Sequence, residues 1–271
     1  MLIITDENPL QIEIRPKRRL HIFHHNANSR KTLFLLHGAG GRMLQWREQI
    51  AFFAKDYNIV ALDNLGHGKS DRPKNATNKT LYSFAEISQD HQAIFDRYAT
   101  EENIVIGHSY GGAFASYLAL KNPDKINKLI LIAPTSFTPK VPAWVFRLPV
   151  FIMEIFRTLL NKQFAHLAFH PQTDQQLVTS EMAEARKNSL HVMKELVLNM
   201  AYLPKIDPTQ IKQPTLVLFS YSDNLVPAQQ SIEFYRDLPN VEFKEIALAK
   251  HVLMLEQPQQ MNHIIQTFLE K

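Results

Sequence analysis

The chain is 271 residues long, carries a formal net charge of +4 and contains no cysteine. That length suits one large domain, or one domain with a sizeable insertion. Hydrophobic residues at 45% and charged residues at 21% exclude intrinsic disorder and collagen-like repeats, and the missing cysteines exclude a disulfide scaffold, an iron–sulfur site and a cysteine nucleophile. The mild basicity falls short of a nucleic-acid-binding signature, so no nucleic-acid partner is expected. The basic run Arg15-Pro16-Lys17-Arg18-Arg19 reads first as a solvated face, with a binding patch as the alternative. The N-terminal MLIITDENPL lacks a basic lead and is broken by Asp6 and Glu7, so no secretory signal is expected. No apolar run is long enough for a transmembrane helix, and a cytoplasmic setting is the default expectation.

In chain order, Gln11–Arg15 and Leu20–His24 alternate in polarity and predict an antiparallel hairpin. Thr32–Leu36, Asn58–Leu62 and Asn103–Ile106 are continuous aliphatic runs, as expected of strands buried on both faces. Helical periodicity lies between them. Met43–Lys55 has one apolar face, and Ser83–Tyr98 opens with a Ser83 cap and Glu86 three residues on. Ala113–Leu120 predicts a third helix, stopped by Asn122-Pro123. Leu129–Ile132, Thr215–Phe219 and Val241–Ile246 predict three more strands, and Gln259–Leu269 a last helix. This β-α-β-α rhythm means an α/β fold with a mostly parallel sheet flanked by helices.

Between Phe137 and about Leu203 the strand rhythm stops. The segment is apolar, helical in pattern and too long for a loop. We expect residues 137–205 to form an inserted helical cap on a core of residues 1–136 and 206–271.

Glycine is scarce and confined. All eight glycines lie between Gly38 and Gly112, in three loops that each follow a predicted strand. Glycine belongs where the backbone turns left-handed or approaches another group closely. The third loop, Gly107-His108-Ser109-Tyr110-Gly111-Gly112, is G-x-S-x-G between a strand and a helix. That turn lifts a serine hydroxyl clear of the sheet as a nucleophile. A serine needs a base, and the expected order is Ser, then Asp or Glu, then His. His251 follows the last predicted strand, whereas its rival His263 sits inside the last helix. Asp223 follows Thr215–Phe219, one strand earlier, and can fix the imidazole tautomer. The rival acid position after Leu129–Ile132 reads Ala-Pro-Thr-Ser, and Asp207 beside Pro208 reads as a turn. The first glycine loop, His37-Gly38-Ala39-Gly40-Gly41, is expected to supply an oxyanion donor from Ala39 N–H, with Tyr110 N–H as the second.

These motifs, with Asp63-x-x-Gly66-His67-Gly68-x-Ser70, resemble the α/β-hydrolase superfamily, and more narrowly its abhydrolase-type serine esterases and lipases with a helical cap. The resemblance covers roughly residues 31–136 and 213–271. It implies an eight-stranded sheet and hydrolase chemistry, with the Asp63–Ser70 loop structural. Two departures stand out. Ser220-Tyr221-Ser222-Asp223 lacks the glycine often found before the acid, and Lys250 replaces the Gly or Ser that commonly precedes the base. A serine nucleophile separates the chain from the aspartate-dependent epoxide hydrolases and dehalogenases of that fold.

The expected reaction is cleavage of a carboxylic ester, with an apolar or lipid acyl group, because Phe137, Val141, Trp144, Phe146, Phe151 and Phe156 crowd the first half of the cap. Gly38, Gly40, His108, Trp144 and Phe146 are the candidate substrate contacts. Thioesterase, carbon–carbon bond hydrolase and acyltransferase activities share the same triad, and a non-catalytic ligand-binding module is the reading from another class. No cofactor is implied: His67, His91 and His108 match no metal spacing, and no phosphate loop is present. Basic residues beside Trp and Phe raise peripheral membrane contact through the cap.

Overall fold

The computed structural model describes residues 10–73, 80–135 and 144–271. The first hairpin is β1 (Leu10–Arg15) and β2 (Arg18–His25), turned at Lys17 with φ 61°. There follow β3 (Lys31–Leu36), a 3-10 turn at Met43–Trp46, α1 (Arg47–Phe53) and β4 (Asn58–Asp63). Next come α2 (Phe84–Tyr98), β5 (Glu102–His108), α3 (Tyr110–Lys121) and β6 (Ile126–Ile132). The inserted segment carries α4 (Val150–Ile155), α5 (Arg157–Ala168), α6 (Gln175–Ala185) and α7 (Leu190–Asn199). The chain closes with β7 (Thr215–Phe219), α8 (Ala228–Tyr235), β8 (Val241–Glu245), α9 (Leu253–Glu256) and α10 (Pro258–Leu269).

The eight strands form one sheet in the order β1-β2-β4-β3-β5-β6-β7-β8. The β1–β2 hairpin is antiparallel and the sheet mostly parallel, as the sequence predicts; β2–β4 is a second antiparallel pair, and the rest are parallel. The aliphatic runs make physical sense there, because both faces of the sheet are covered. Phe34, Val105, Leu129 and Leu131 face one apolar cluster with Phe84, Ile94 and Phe95 of α2 and Phe114 of α3. Leu33, Leu35, Ile104, Ile106, Ile130 and Ile132 face a second, with Trp46, Ile50 of α1, and Met261 and Ile265 of α10. Ser83 caps α2 by accepting from Glu86 N–H at 3.3 Å.

The basic run has a structural use. Arg18 is buried, and its Nε donates to Asp90 of α2 at 2.6 Å; Arg15 reaches Glu86 at 2.6 Å. These arginines tie the hairpin to α2 instead of lining a free patch. The inserted segment enters both cores. Val192, Leu196 and Met200 join the α2–α3 cluster, and Ala168 and Phe169 join the other. Phe137 and Val141 lie outside the described residues. Among the described residues no helix is long and apolar enough to cross a membrane.

Candidate active site

Four loops converge at the carboxyl ends of β3, β4, β5 and β7, with a fifth after β8. This is the edge at which open parallel sheets bind ligands. At the end of β5, Ser109 has φ 52° and ψ −121°. A non-glycine residue held there costs on the order of 1–3 kcal/mol and persists only where its surroundings enforce it. The enforcement is visible. Ser109 N–H donates to Ile132 O at 2.9 Å, and Ser109 O accepts from Gly112 and Thr135 N–H at 2.9 and 3.1 Å. A Cβ on Gly111 would collide with the Leu36 carbonyl, and one on Gly112 would sit 2.8 Å from Pro134 Cβ. The glycines therefore let α3 start directly beneath β3.

His251 Nδ1 donates to Asp223 Oδ2 at 2.8 Å. The other carboxylate oxygen accepts from Leu225 and Val226 N–H at 2.8 and 2.9 Å. Burial pulls the Asp223 carboxyl up, but His251 and these amides outweigh it and hold it below the ordinary carboxylate value. An ionised Asp223 fixes the proton on Nδ1 and leaves His251 Nε2 as an acceptor. His108, next to Ser109, places its ring 4.8 Å from that of His251, and its Nε2 donates to His251 O at 2.9 Å. Burial first, then repulsion from His251 whenever that ring is protonated, push the His108 pKa down to about 3. Ser109 Oγ makes no hydrogen bond to His251 in this structure, as is common in unliganded sites.

Gly38 packs against Ser109: a Cβ there would lie 2.9 Å from Ser109 Cβ. The Gly38 carbonyl is turned inward, accepting from Gly41 N–H at 3.0 Å and from His37 Nδ1 at 2.7 Å. His37 Nε2 accepts from Asn64 N–H at 2.9 Å, and burial lowers its pKa. His67 Nε2 accepts from Gly40 N–H at 3.1 Å. Burial pushes His67 to about 3, so it stays a neutral acceptor. Among the described residues the Ala39 and Tyr110 N–H groups have no protein acceptor. Asp63 accepts from Met43 N–H at 2.7 Å, Lys69 N–H at 2.9 Å and His21 Nδ1 at 2.9 Å. It thus ties the 63–70 loop to the helical turn that follows the glycine loop.

The segment between β6 and β7 contacts these loops on two sides. Asn188 Nδ2 donates to Gly40 O at 2.6 Å, and Met193 Cε would lie 3.5 Å from a Cβ on Gly40. Glu181 of α6 is buried against Arg47 at 2.8 Å and Arg42 at 3.0 Å. On the other side, His251 N–H donates to Ala168 O at 3.0 Å and Lys250 Nζ to His166 O at 2.6 Å. The two sequence departures find uses here. Ser220 Oγ donates to Ala249 O at 2.6 Å and accepts from Ser222 N–H at 3.1 Å, joining the Asp223 loop to the His251 loop. Lys250 N–H is held by Glu256 Oε2 at 2.9 Å.

Of the candidate residues, the fold brings together Gly38, Ala39, Gly40, His108, Ser109, Tyr110, Asp223 and His251. His108 is enclosed and bonded to the His251 backbone, and the Tyr110 ring is buried against Phe84 and Phe114. Trp144 is 65% exposed, and Phe146 is half-buried. Neither has a ring contact with the cluster among the described residues. The rival His263 is exposed on α10. Sequence reasoning did not find Asn188, Glu181 or Glu256. No motif surrounds them, and only the folded chain brings them to the site.

The family model described as the alpha/beta hydrolase fold matches residues 31–258. Protein ABHD8 of Bos taurus is 32% identical over 269 residues, which is 94% of this chain and 61% of that protein. This chain therefore spans about three-fifths of that relative's length. A 2-hydroxy-6-oxononadienedioate/2-hydroxy-6-oxononatrienedioate hydrolase of Paraburkholderia phymatum is 25% identical, covering 93% of this chain and 91% of that protein. A crystal structure of a hydrolase from Pseudomonas aeruginosa superposes with TM-score 0.82 at 18% identity, covering 98% of this chain and all of that one.

Proposed function

The chain belongs to the α/β hydrolase fold family, and from that premise we propose that it is a serine hydrolase cleaving carboxylic esters through an acyl-enzyme. The observation that carries the reading is Ser109 held at φ 52° between β5 and α3, next to His108, which bonds the backbone of the His251 that pairs with Asp223. With ψ −121°, Ser109 lies outside the left-handed basin that ordinary turn residues use, and strain of that kind clusters at functional sites.

Ser109 Oγ attacks the ester carbonyl while His251 Nε2 takes its proton. The carbonyl oxygen becomes an oxyanion, received by the free Ala39 and Tyr110 N–H groups. Collapse breaks the carbon–oxygen bond, and His251 returns the proton to the departing alcohol. Water then repeats the sequence: its proton goes to His251, its oxygen to the acyl carbon, and Ser109 leaves with that proton. Asp223 stabilises the imidazolium in both halves. Residues 137–205 act as a cap on the core of residues 1–136 and 206–271. Met193 beside Gly40 supports an apolar acyl group.

A p-nitrophenyl ester series from acetate to palmitate tests this. Wild type is expected to turn over a medium or long acyl chain fastest, and Ser109→Ala to lose on the order of 10⁴–10⁶-fold. Equal turnover by Ser109→Ala, or none by folded wild type, would overturn the reading. The Paraburkholderia relative, aligned along almost its whole length, favours a second reading on the same residues, hydrolysis of a carbon–carbon bond beside a ketone. Turnover of a 2-hydroxy-6-oxo-dienoate without ester turnover would select it.

A further inference from the structure

Helices α4 and α5 turn an apolar stripe toward solvent. Phe151, Ile155 and Leu159 follow one another at four-residue spacing and are 69%, 73% and 63% exposed. Phe156 lies among them, and Trp144 precedes them at 65% exposed. Phe151 and Ile155, four apart, share one face of α4, and beyond the break at Phe156 α5 exposes Leu159 as well. The inward side is served by Met153, which is buried. A globular surface helix normally shows the reverse, polar side outward. An apolar face of this kind marks an interaction surface.

The charges around it indicate what covers it. From Trp144 to His166 the sequence holds Arg147, Arg157 and Lys162 but a single acid, Glu154. Glu154 is occupied by Arg157 at 2.6 Å. Arg147 and Lys162 are exposed and form no ion pair among the described residues. A second copy packed on this face would oppose like charges. An apolar helix face flanked by arginine and lysine, with a tryptophan at its border, is the arrangement that lies in the plane of an anionic lipid surface. We propose that α4, α5 and Trp144 dock the protein on the surface of a lipid bilayer bearing anionic headgroups. The docking is independent of the reaction at Ser109. It places the bilayer against α5, whose far end bonds the His251 loop through Ala168 and His166.

Tryptophan fluorescence gives a direct readout. The chain has two tryptophans, and Trp46 is fully buried, so a change on adding vesicles reports Trp144. Vesicles of phosphatidylcholine with phosphatidylglycerol are expected to shift the emission to the blue and to carry the protein in a flotation assay. Phosphatidylcholine alone should do so weakly, and added salt should reverse the binding. Phe151→Ser with Ile155→Ser, or Arg147→Glu with Lys162→Glu, should each lower the vesicle-bound fraction about tenfold or more. Both pairs are on the surface, and an unchanged circular dichroism melt checks their folding. Absence of binding to either vesicle, or binding that both pairs leave intact, overturns the proposal. So does a dimer in sedimentation velocity that Phe151→Ser dissolves, because a second copy would then be the occupant.

Discussion

Asp223 decides which nitrogen of His251 carries the proton, so replacing its charge tests the site at the scale of one atom. Asp223→Asn can keep the Leu225 and Val226 bonds through its carbonyl oxygen but can present an N–H to Nδ1. The tautomer would reverse, and ester turnover should fall about 10⁴-fold with the fold intact. Steady-state kinetics beside a thermal melt checks this; a loss under tenfold would deny Asp223 the role. Ser109, Asp223 and His251 were legible as candidates because each follows a strand that the sequence marks clearly, at the edge where ligands bind. Their neighbours were not legible. His67 reads as one histidine in a glycine turn, and only the fold reveals that its Nε2 receives Gly40 N–H. Ser220 and Lys250 looked like departures from a pattern. The structure gives each a hydrogen-bonding role in the same two loops.

The strands are the best-read elements. Continuous Val, Ile and Leu runs require burial on both faces, and β3 to β7 have it. The first helix is shorter than its apolar pattern suggests, because Met43–Trp46 winds as a 3-10 turn before α1. Helices α8 and α9 escaped notice, being short and flanked by proline or histidine loops. The inserted segment was readable as helical but not in its attachments. Its α6–α7 loop holds the 37–41 glycine loop through Asn188, a contact between residues 148 positions apart that no periodicity encodes. We assign Asn188 a positioning role. Asn188→Ala should lower kcat about tenfold with KM changed under about threefold, since the bond orients Gly40 and not the substrate. Asn188→Asp, which sets an acceptor against the Gly40 carbonyl, should do worse than alanine. A rise in KM alone, or equal kcat in all three proteins, would contradict the assignment.

Taken whole, the molecule keeps several histidines buried and neutral under its sheet edge. His67, His91 and His108 are each pushed from 6.5 to about 3 by burial first. Folded, they bind protons less readily than the unfolded chain does. Unfolding therefore takes up protons as pH falls from about 6.5 toward 3, and stability declines across that window. The loss is on the order of 1 kcal/mol per pH unit for each histidine. Urea midpoints between about pH 7 and pH 5 should fall accordingly. His91→Gln, away from the Asp223–His251 pair, should flatten the slope. A flat wild-type profile would mean that these rings are not neutral and buried. The central claim, that the fold exists to present Ser109 as a nucleophile, is tested most directly by a fluorophosphonate. Intact mass and peptide mapping should show one adduct, on Ser109, in folded wild type, and none in Ser109→Ala. Folded protein that takes up no label, or takes it on another residue, would contradict the account.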